Sequence, residues 1–222
     1  MFEIKELVVT GKEKLLVKQA AFSVAPRTAT YIEGANGSGK TSLLHGIFLH
    51  PHVVCKTRSL FLDATDISTK TVQELFIVGV MYVPQTAIIL PGVSFTTYLH
   101  RAYELKYGES LSIIAFVETC KKICEKYDLP EYLLSKNVHE NLSGGERKMQ
   151  ELIQVCVLKP LYVCIDEIDA GLDVDKKILV ARVLTQLCKE GMGIVLTSHT
   201  KDFVEGLPVA RTYTMHEGVL TL

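Results

Sequence analysis

Apolar positions along the chain follow two rhythms, and the change between them predicts the layout of the molecule. Phe2 to Thr10 and Leu15 to Val24 carry the patterning of half-buried strands and read as a β-ribbon. Thr28 to Glu33 predicts a short strand that runs into a glycine-rich turn, and a helix follows from Lys40 to about Phe48, ended by Pro51. The run Phe76-Ile77-Val78-Gly79-Val80-Met81-Tyr82-Val83 is too apolar for a surface, so Leu75 to Val83 is expected to hold a buried strand. The N-terminal region therefore reads as strands with one helix.

From Thr86 to about Asn141 the spacing turns helical. Thr97 to Lys106 and Ile113 to Tyr127 predict helices, punctuated by Pro91-Gly92, Gly108 and Pro130. A helix from Gly145 to Leu158, a strand from Leu161 to Ile165, a helix from Asp175 to Lys189 and a strand from Gly193 to Thr197 then restore α/β alternation, which implies a parallel sheet. The expectation is one α/β domain over residues 1–222. Segments 1–85 and 142–222 form its core with the N-terminal β-ribbon, and 86–141 is inserted as a helical subdomain.

Composition narrows the function classes. With 48% hydrophobic residues in 222, the chain can bury a sizeable core, and disorder is excluded. Its 24 Lys+Arg balance 25 Asp+Glu to a net charge of -1, so no long-range field holds nucleic acid, and only short basic pairs such as Lys121-Lys122 occur. No nucleic-acid partner is expected. The longest apolar stretches, Leu75 to Val83 and Val155 to Ile165, fall short of the ~18 residues of a membrane helix, so no direct membrane insertion is expected. The N-terminus MFEIKELVV reads as strand and lacks the basic and apolar regions of a signal peptide. Cysteines stand at 55, 120, 124, 156, 164 and 188 without a CxxC pair. Most lie in apolar surroundings, where a thiol packs as a small hydrophobe, and together these features predict a reducing cytoplasm.

The candidate chemistry begins at Gly34-Ala35-Asn36-Gly37-Ser38-Gly39-Lys40-Thr41, which matches G-x-x-x-x-G-K-[ST] between a strand and an apolar helix. Glycines let the backbone curl so that successive N–H groups converge on phosphate oxygens, and the helix N-terminus adds its positive dipole end. Lys40 would bring a point charge to the β- and γ-phosphates, the Thr41 hydroxyl is suited to Mg²⁺, and Ser42 extends the cradle into the helix. Phosphoryl chemistry also needs a carboxylate for the metal and a group to orient water. Leu161-Tyr162-Val163-Cys164-Ile165-Asp166-Glu167 supplies both at the carboxyl end of a buried strand, where open α/β sheets bind ligands. Because neighbouring strand residues point to opposite sides, Asp166 is expected to hold Mg²⁺ and Glu167 to polarise the attacking water.

Asn141-Leu142-Ser143-Gly144-Gly145-Glu146 resembles the LSGGE/Q signature of ABC-type ATPases. Physically, Ser143 can cap a helix whose first N–H groups, beside two small glycines, leave space for a phosphate. The resemblance runs over nearly the whole chain and implies an ABC ATPase nucleotide-binding domain that hydrolyses ATP with Mg²⁺. It further implies that Ser143, Gly144, Gly145 and Glu146 complete the nucleotide site of a second copy, in an ATP-dependent homodimer. Within it, Gln85 corresponds to the glutamine that contributes to Mg²⁺, His199 to the switch histidine at the γ-phosphate, and Ala170-Gly171-Leu172-Asp173 to the D-loop.

The run Asp166-Glu167-Ile168-Asp169-Ala170-Gly171-Leu172-Asp173-Val174-Asp175 is similar to the SufC family of iron–sulfur cluster assembly ATPases. Ile89-Leu90-Pro91-Gly92-Val93 after Gln85, and Arg147-Lys148 running into Met149-Gln150-Glu151-Leu152 after the signature, are similar to the same family. That likeness implies SufB-like and SufD-like scaffold partners, gripped by the region from Gln85 to Lys106. Ala35, Ala170 and Leu142 depart from the common SufC residues without removing a catalytic group. No aromatic residue stands at the ribbon position where many ABC ATPases place a stacking tyrosine, so weak base discrimination is expected. A detached transporter ATPase and a nucleotide-gated module without turnover stay open as alternatives.

Overall fold

The computed structural model describes residues 1–11, 14–108 and 111–222. β1 (Phe2–Thr10) and β2 (Leu15–Val24) form the expected antiparallel ribbon. β3 (Ala29–Glu33) enters the phosphate loop, and α1 (Lys40–Ile47) leaves it. β4 (Val54–Leu62) lies antiparallel on β1 and pairs with the two-residue β5 (Thr65–Asp66). β4 escapes a sequence reading because Lys56 and Arg58 interrupt its apolar pattern, and only Leu60 is fully buried.

The segment Leu75 to Val83 is not a single strand. α2 (Val72–Ile77) occupies its first part and β6 (Val80–Val83) its end. The helix starts there because Thr71 and Glu74 form a reciprocal capping box, and it is separated from the strand by Gly79 at φ +96. The N-terminal region thus has two helices, not one. α3 (Phe95–Tyr107) and α4 (Ile113–Tyr127) follow, with Ser94 and Ser112 as N-caps. A 3₁₀ turn at Glu131–Ser135 leads to α5 (Gly144–Leu158). β7 (Tyr162–Asp166), α6 (Val174–Lys189), β8 (Gly193–Thr197), the short α7 (Lys201–Glu205) and a terminal hairpin of β9 (Val209–His216) and β10 (Val219–Thr221) complete the chain.

The strands form one sheet in the order β5-β4-β1-β2-β10-β9-β3-β8-β7-β6. Its central half, β9-β3-β8-β7-β6, is parallel, and the ribbon half is antiparallel. The join between them is the brief pairing of β10 with β2 at Val219 and Gln19. Period-two alternation distributes the buried strands between two cores. Val163, Ile165, Ile194 and Leu196 face the layer of α3, α4, α5 and α6, while Cys164 and Val195 face α1 and the ribbon. Gln150, fully buried on α5, accepts from the His139 N–H at 2.8 Å and donates to the carbonyls of Leu133 and Asn137 at 3.2 Å each. It pins the 3₁₀ region against the signature helix, satisfying backbone groups that burial would otherwise leave unpaired. Among the described residues, no helix is long and apolar enough to cross a membrane. All six cysteines are free thiols, five of them buried, and burial pushes Cys120 up to about 12 and Cys124 up to about 11.

Candidate active site

The carboxyl ends of β3, β7 and β8 converge on one cleft of ≈ 820 Å³. Ala35, Asn36, Gly37, Ser38, Gly39, Lys40, Thr41 and Ser42 line it together with Gln85, Glu167 and His199. Gly34 sits at the base of the loop at φ +150, where an added Cβ would lie 2.3 Å from the Met215 carbonyl and 2.7 Å from Ser38 Oγ. Only glycine lets the loop approach the C-terminal hairpin that closely. Lys40 folds back over the loop, donating to the Gly34 carbonyl at 2.8 Å and the Ala35 carbonyl at 3.2 Å. Burial lowers its pKa, and the nearby carboxylates of Glu167 and Asp166 oppose that shift.

Asp166 ends β7 fully buried. One of its oxygens accepts from Thr197 Oγ1 at 2.6 Å, and the other, Oδ2, makes no hydrogen bond of ordinary geometry, although the buried Tyr82 hydroxyl stands beside the carboxylate. Ser38 Oγ in the loop is buried and likewise unpartnered. Such orphaned polar atoms are costly unless a ligand satisfies them. The donor set of Thr41 hydroxyl, Gln85 amide oxygen and Asp166 carboxylate is all oxygen, as a hard divalent cation requires, so these residues fit Mg²⁺. Tyr82 is kept protonated by burial first and by adjacent Asp166 second.

Glu167 does not achieve its separation from Asp166 by strand alternation. It lies beyond the end of β7 at φ +51, and this left-handed kink turns its side chain into the cleft. Its backbone is pinned there by N–H bonds to the carbonyl and hydroxyl of Thr197, both at 3.2 Å. Gln85 Nε2 donates to Glu167 Oε2 at 2.6 Å, and His199 Nε2 lies 2.7 Å from Glu167 Oε1. Two groups far apart in sequence thus meet around one carboxylate. Both carboxylate oxygens are engaged by polar partners, a geometry that orients Glu167 firmly.

Ser143, Gly144, Gly145 and Glu146 lie outside this cleft. Ser143 caps α5 in a capping box: its hydroxyl accepts from the Glu146 N–H, and Glu146 accepts from the Ser143 N–H at 2.9 Å. Gly144 has open space around its Cα, so the amino end of the helix faces outward. Asp173 also stands apart from the cleft, capping α6 and pairing with Lys176 at 2.6 Å.

Two contributors escaped the sequence reading. Thr197 supports both Asp166 and Glu167 across the β7–β8 junction, a role visible only once the strands are paired. The turn of the C-terminal hairpin, His216-Glu217-Gly218, walls the cleft beside Leu15, Leu16 and Lys18 of the ribbon. Gly218 donates its N–H to the Ser38 carbonyl at 2.9 Å, which anchors the hairpin to the phosphate loop.

A phosphate loop at the mouth of a parallel sheet, with a buried aspartate and a kinked glutamate at the neighbouring strand end, defines a nucleoside-triphosphate-binding α/β protein. The chain belongs to the ABC transporter family, whose model matches residues 17–170, and it is an ATP-binding ATPase of the ABC type. It is 31% identical over 92% of its length to a probable ATP-dependent transporter ycf16 of Pyropia yezoensis, covering 83% of that protein. It is also 28% identical over 98% of its length to the iron–sulfur cluster assembly protein SufC of Plasmodium falciparum, covering 65% of that protein. Among solved structures it resembles a dimeric ATP-binding cassette in a post-hydrolysis state bound to ADP and Pi, with a TM-score of 0.86 and 17% identity, over 100% of this chain and 97% of the other. At that identity the likeness speaks for the fold alone.

Proposed function

We propose that this chain is a SufC-like subunit that binds and hydrolyses ATP to change the conformation of a SufB–SufC–SufD scaffold during iron–sulfur cluster assembly in the cytoplasm. The observation that carries the hydrolytic reading is the meeting of Gln85, Glu167 and His199 beside the phosphate loop. Residues 34 to 42 hold the triphosphate through backbone N–H groups, with Lys40 exchanging its two carbonyl partners for phosphate oxygens. Glu167 orients the attacking water and takes its proton as the bond between the γ-phosphorus and the bridging oxygen breaks and ADP leaves. One of its two contacts, to Gln85 or to His199, gives way to that water, and His199 then reaches the γ-phosphate. Mg²⁺, held by Thr41, Gln85 and Asp166, would neutralise charge on the β- and γ-oxygens.

The outward-facing helix end at Ser143, Gly144 and Gly145, with Glu146 locking the cap, supports a signature that serves a second copy in an ATP-dependent homodimer. Asp173 is the D-loop residue in the same reading. Segments 1–85 and 142–222 form the catalytic core, 86–141 is the helical subdomain, and the region from Gln85 to Lys106 meets the scaffold. The SufC assignment draws support from the segment Ile168 to Asp175 and from the Plasmodium falciparum relative. A detached transporter ATPase is the second reading, favoured by the name of the Pyropia yezoensis relative. Affinity purification separates them. Recovery of SufB-like and SufD-like proteins supports the first, and recovery of a permease without them overturns it.

A further inference from the structure

The signature helix carries a buried charge that the nucleotide chemistry leaves unused. Lys148, only 7% exposed, lies five positions beyond Ser143 on α5. Its ammonium donates to the carbonyls of Pro84 at 3.2 Å and Gln85 at 2.8 Å, and pairs with Glu151 at 3.1 Å. Glu151 is 3% exposed, and its carboxylate has no hydrogen-bond partner apart from that ion pair. Burial pushes the Glu151 carboxyl up to about 7, against the pull of Lys148. A buried ion pair is a poor source of stability, because desolvation of both charges offsets their attraction, and an apolar pair of similar volume commonly serves the fold as well. What an apolar pair does not provide is a donor for two backbone carbonyls at the start of the Gln85 loop. The side chain of that same Gln85 reaches Glu167 at 2.6 Å.

We propose that Lys148 is a positioning residue for ATP hydrolysis: it ties the signature helix to the backbone of Pro84 and Gln85, so that the placement of α5 sets whether Gln85 can engage Glu167. A nucleotide docking on the outward end of α5 is thereby coupled to the geometry of the water-orienting carboxylate in this chain's own cleft. This rests on the ATPase reading and deepens it. Lys148 touches neither the cleft nor the reacting atoms, so it acts through Gln85.

The test compares the full chain with K148M and with the double variant K148M/E151L. K148M leaves the Glu151 carboxyl buried without its partner and is expected to lose stability, so the double variant carries the comparison. Its melting temperature is expected within about 4 °C of wild type. Its kcat for ATP is expected to fall roughly tenfold with KM altered less than about twofold, the split that marks a loss confined to the transition state. A folded double variant with wild-type kcat, or a rate that falls only in proportion to the folded fraction, overturns the proposal. Absence of turnover in the wild-type chain would instead sink the ATPase reading, and the two failures are thus distinguishable.

Discussion

Replacing Glu167 with Gln tests the centre of the site. The carboxylate accepts at both oxygens, from Gln85 at 2.6 Å and from His199 at 2.7 Å, whereas an amide has one acceptor oxygen. Gln85 can turn its amide over and His199 can change tautomer, so the loss is that of charge assistance in one or two bonds, about 1 kcal/mol. For a chain of this length that lowers the melting temperature by only about 2–4 °C. The catalytic loss is larger, because a positioned base contributes about 10²–10⁴ in rate. That corresponds to about 3–5 kcal/mol of barrier. Single-turnover release of phosphate should therefore slow by at least about a hundredfold while the folded fraction stays near complete. Equilibrium binding of ATP should persist, since no phosphate-loop group changes, and gel filtration with ATP and Mg²⁺ should show an accumulated dimer. Turnover within about threefold of wild type, with binding intact, would refute the role given to Glu167.

The signature should separate binding from turnover: S143A removes a helix cap worth about 1 kcal/mol. Because Ser143 lies outside the cleft, ATP affinity of the isolated chain should hold while turnover falls. An equal loss of both, measured by nucleotide titration and phosphate release, would contradict a role in a second copy. Gly34→Ala and Gly37→Ala should differ sharply in thermal melts. Both residues have positive φ, but only at Gly34 does the new Cβ meet backbone, 2.3 Å from the Met215 carbonyl, while Gly37 has open space. The first should cost several times the roughly 1 kcal/mol of left-handed strain expected at the second. The Lys148–Glu151 pair should also leave a signature in stability against pH. Burial raises the Glu151 carboxyl from an ordinary 4.5 to about 7, so the folded chain binds more protons than the unfolded chain between those values. Stability from this group is full below pH 4.5 and lost as pH rises through 7. Denaturation midpoints of K148M/E151L should therefore decline less than those of wild type over that range, and parallel profiles would contradict the raised value.

Sequence by itself determined whatever is contiguous. The glycine loop with Lys40, the Asp166-Glu167 strand end and the capped Ser143 helix are each complete within a few residues, because a turn, a strand end or a helix cap is built from local backbone geometry and neighbouring side chains. Long periodic elements such as the helix Ile113–Tyr127 were legible for the same reason. Short segments whose state is settled by their surroundings were not. β4 became a strand because β1 offered it a partner, whereas Leu75 to Val83 was split by the local cap of Thr71 and Glu74 and the left-handed turn at Gly79, signals that its continuous apolar run masked. Tertiary structure alone decided the junctions. Glu167 owes its orientation to a positive-φ kink held by Thr197, from a strand thirty residues onward, and its partner Gln85 arrives from eighty-two residues upstream. The C-terminal hairpin closes the cleft because Gly34 lets the phosphate loop press on the Met215 carbonyl and Gly218 lets the hairpin turn press on the Leu16 carbonyl of the ribbon. Lys148, read in line only as part of the run that follows the signature, is buried because the Gln85 loop and Glu151 offer enough oxygen to replace water around its ammonium.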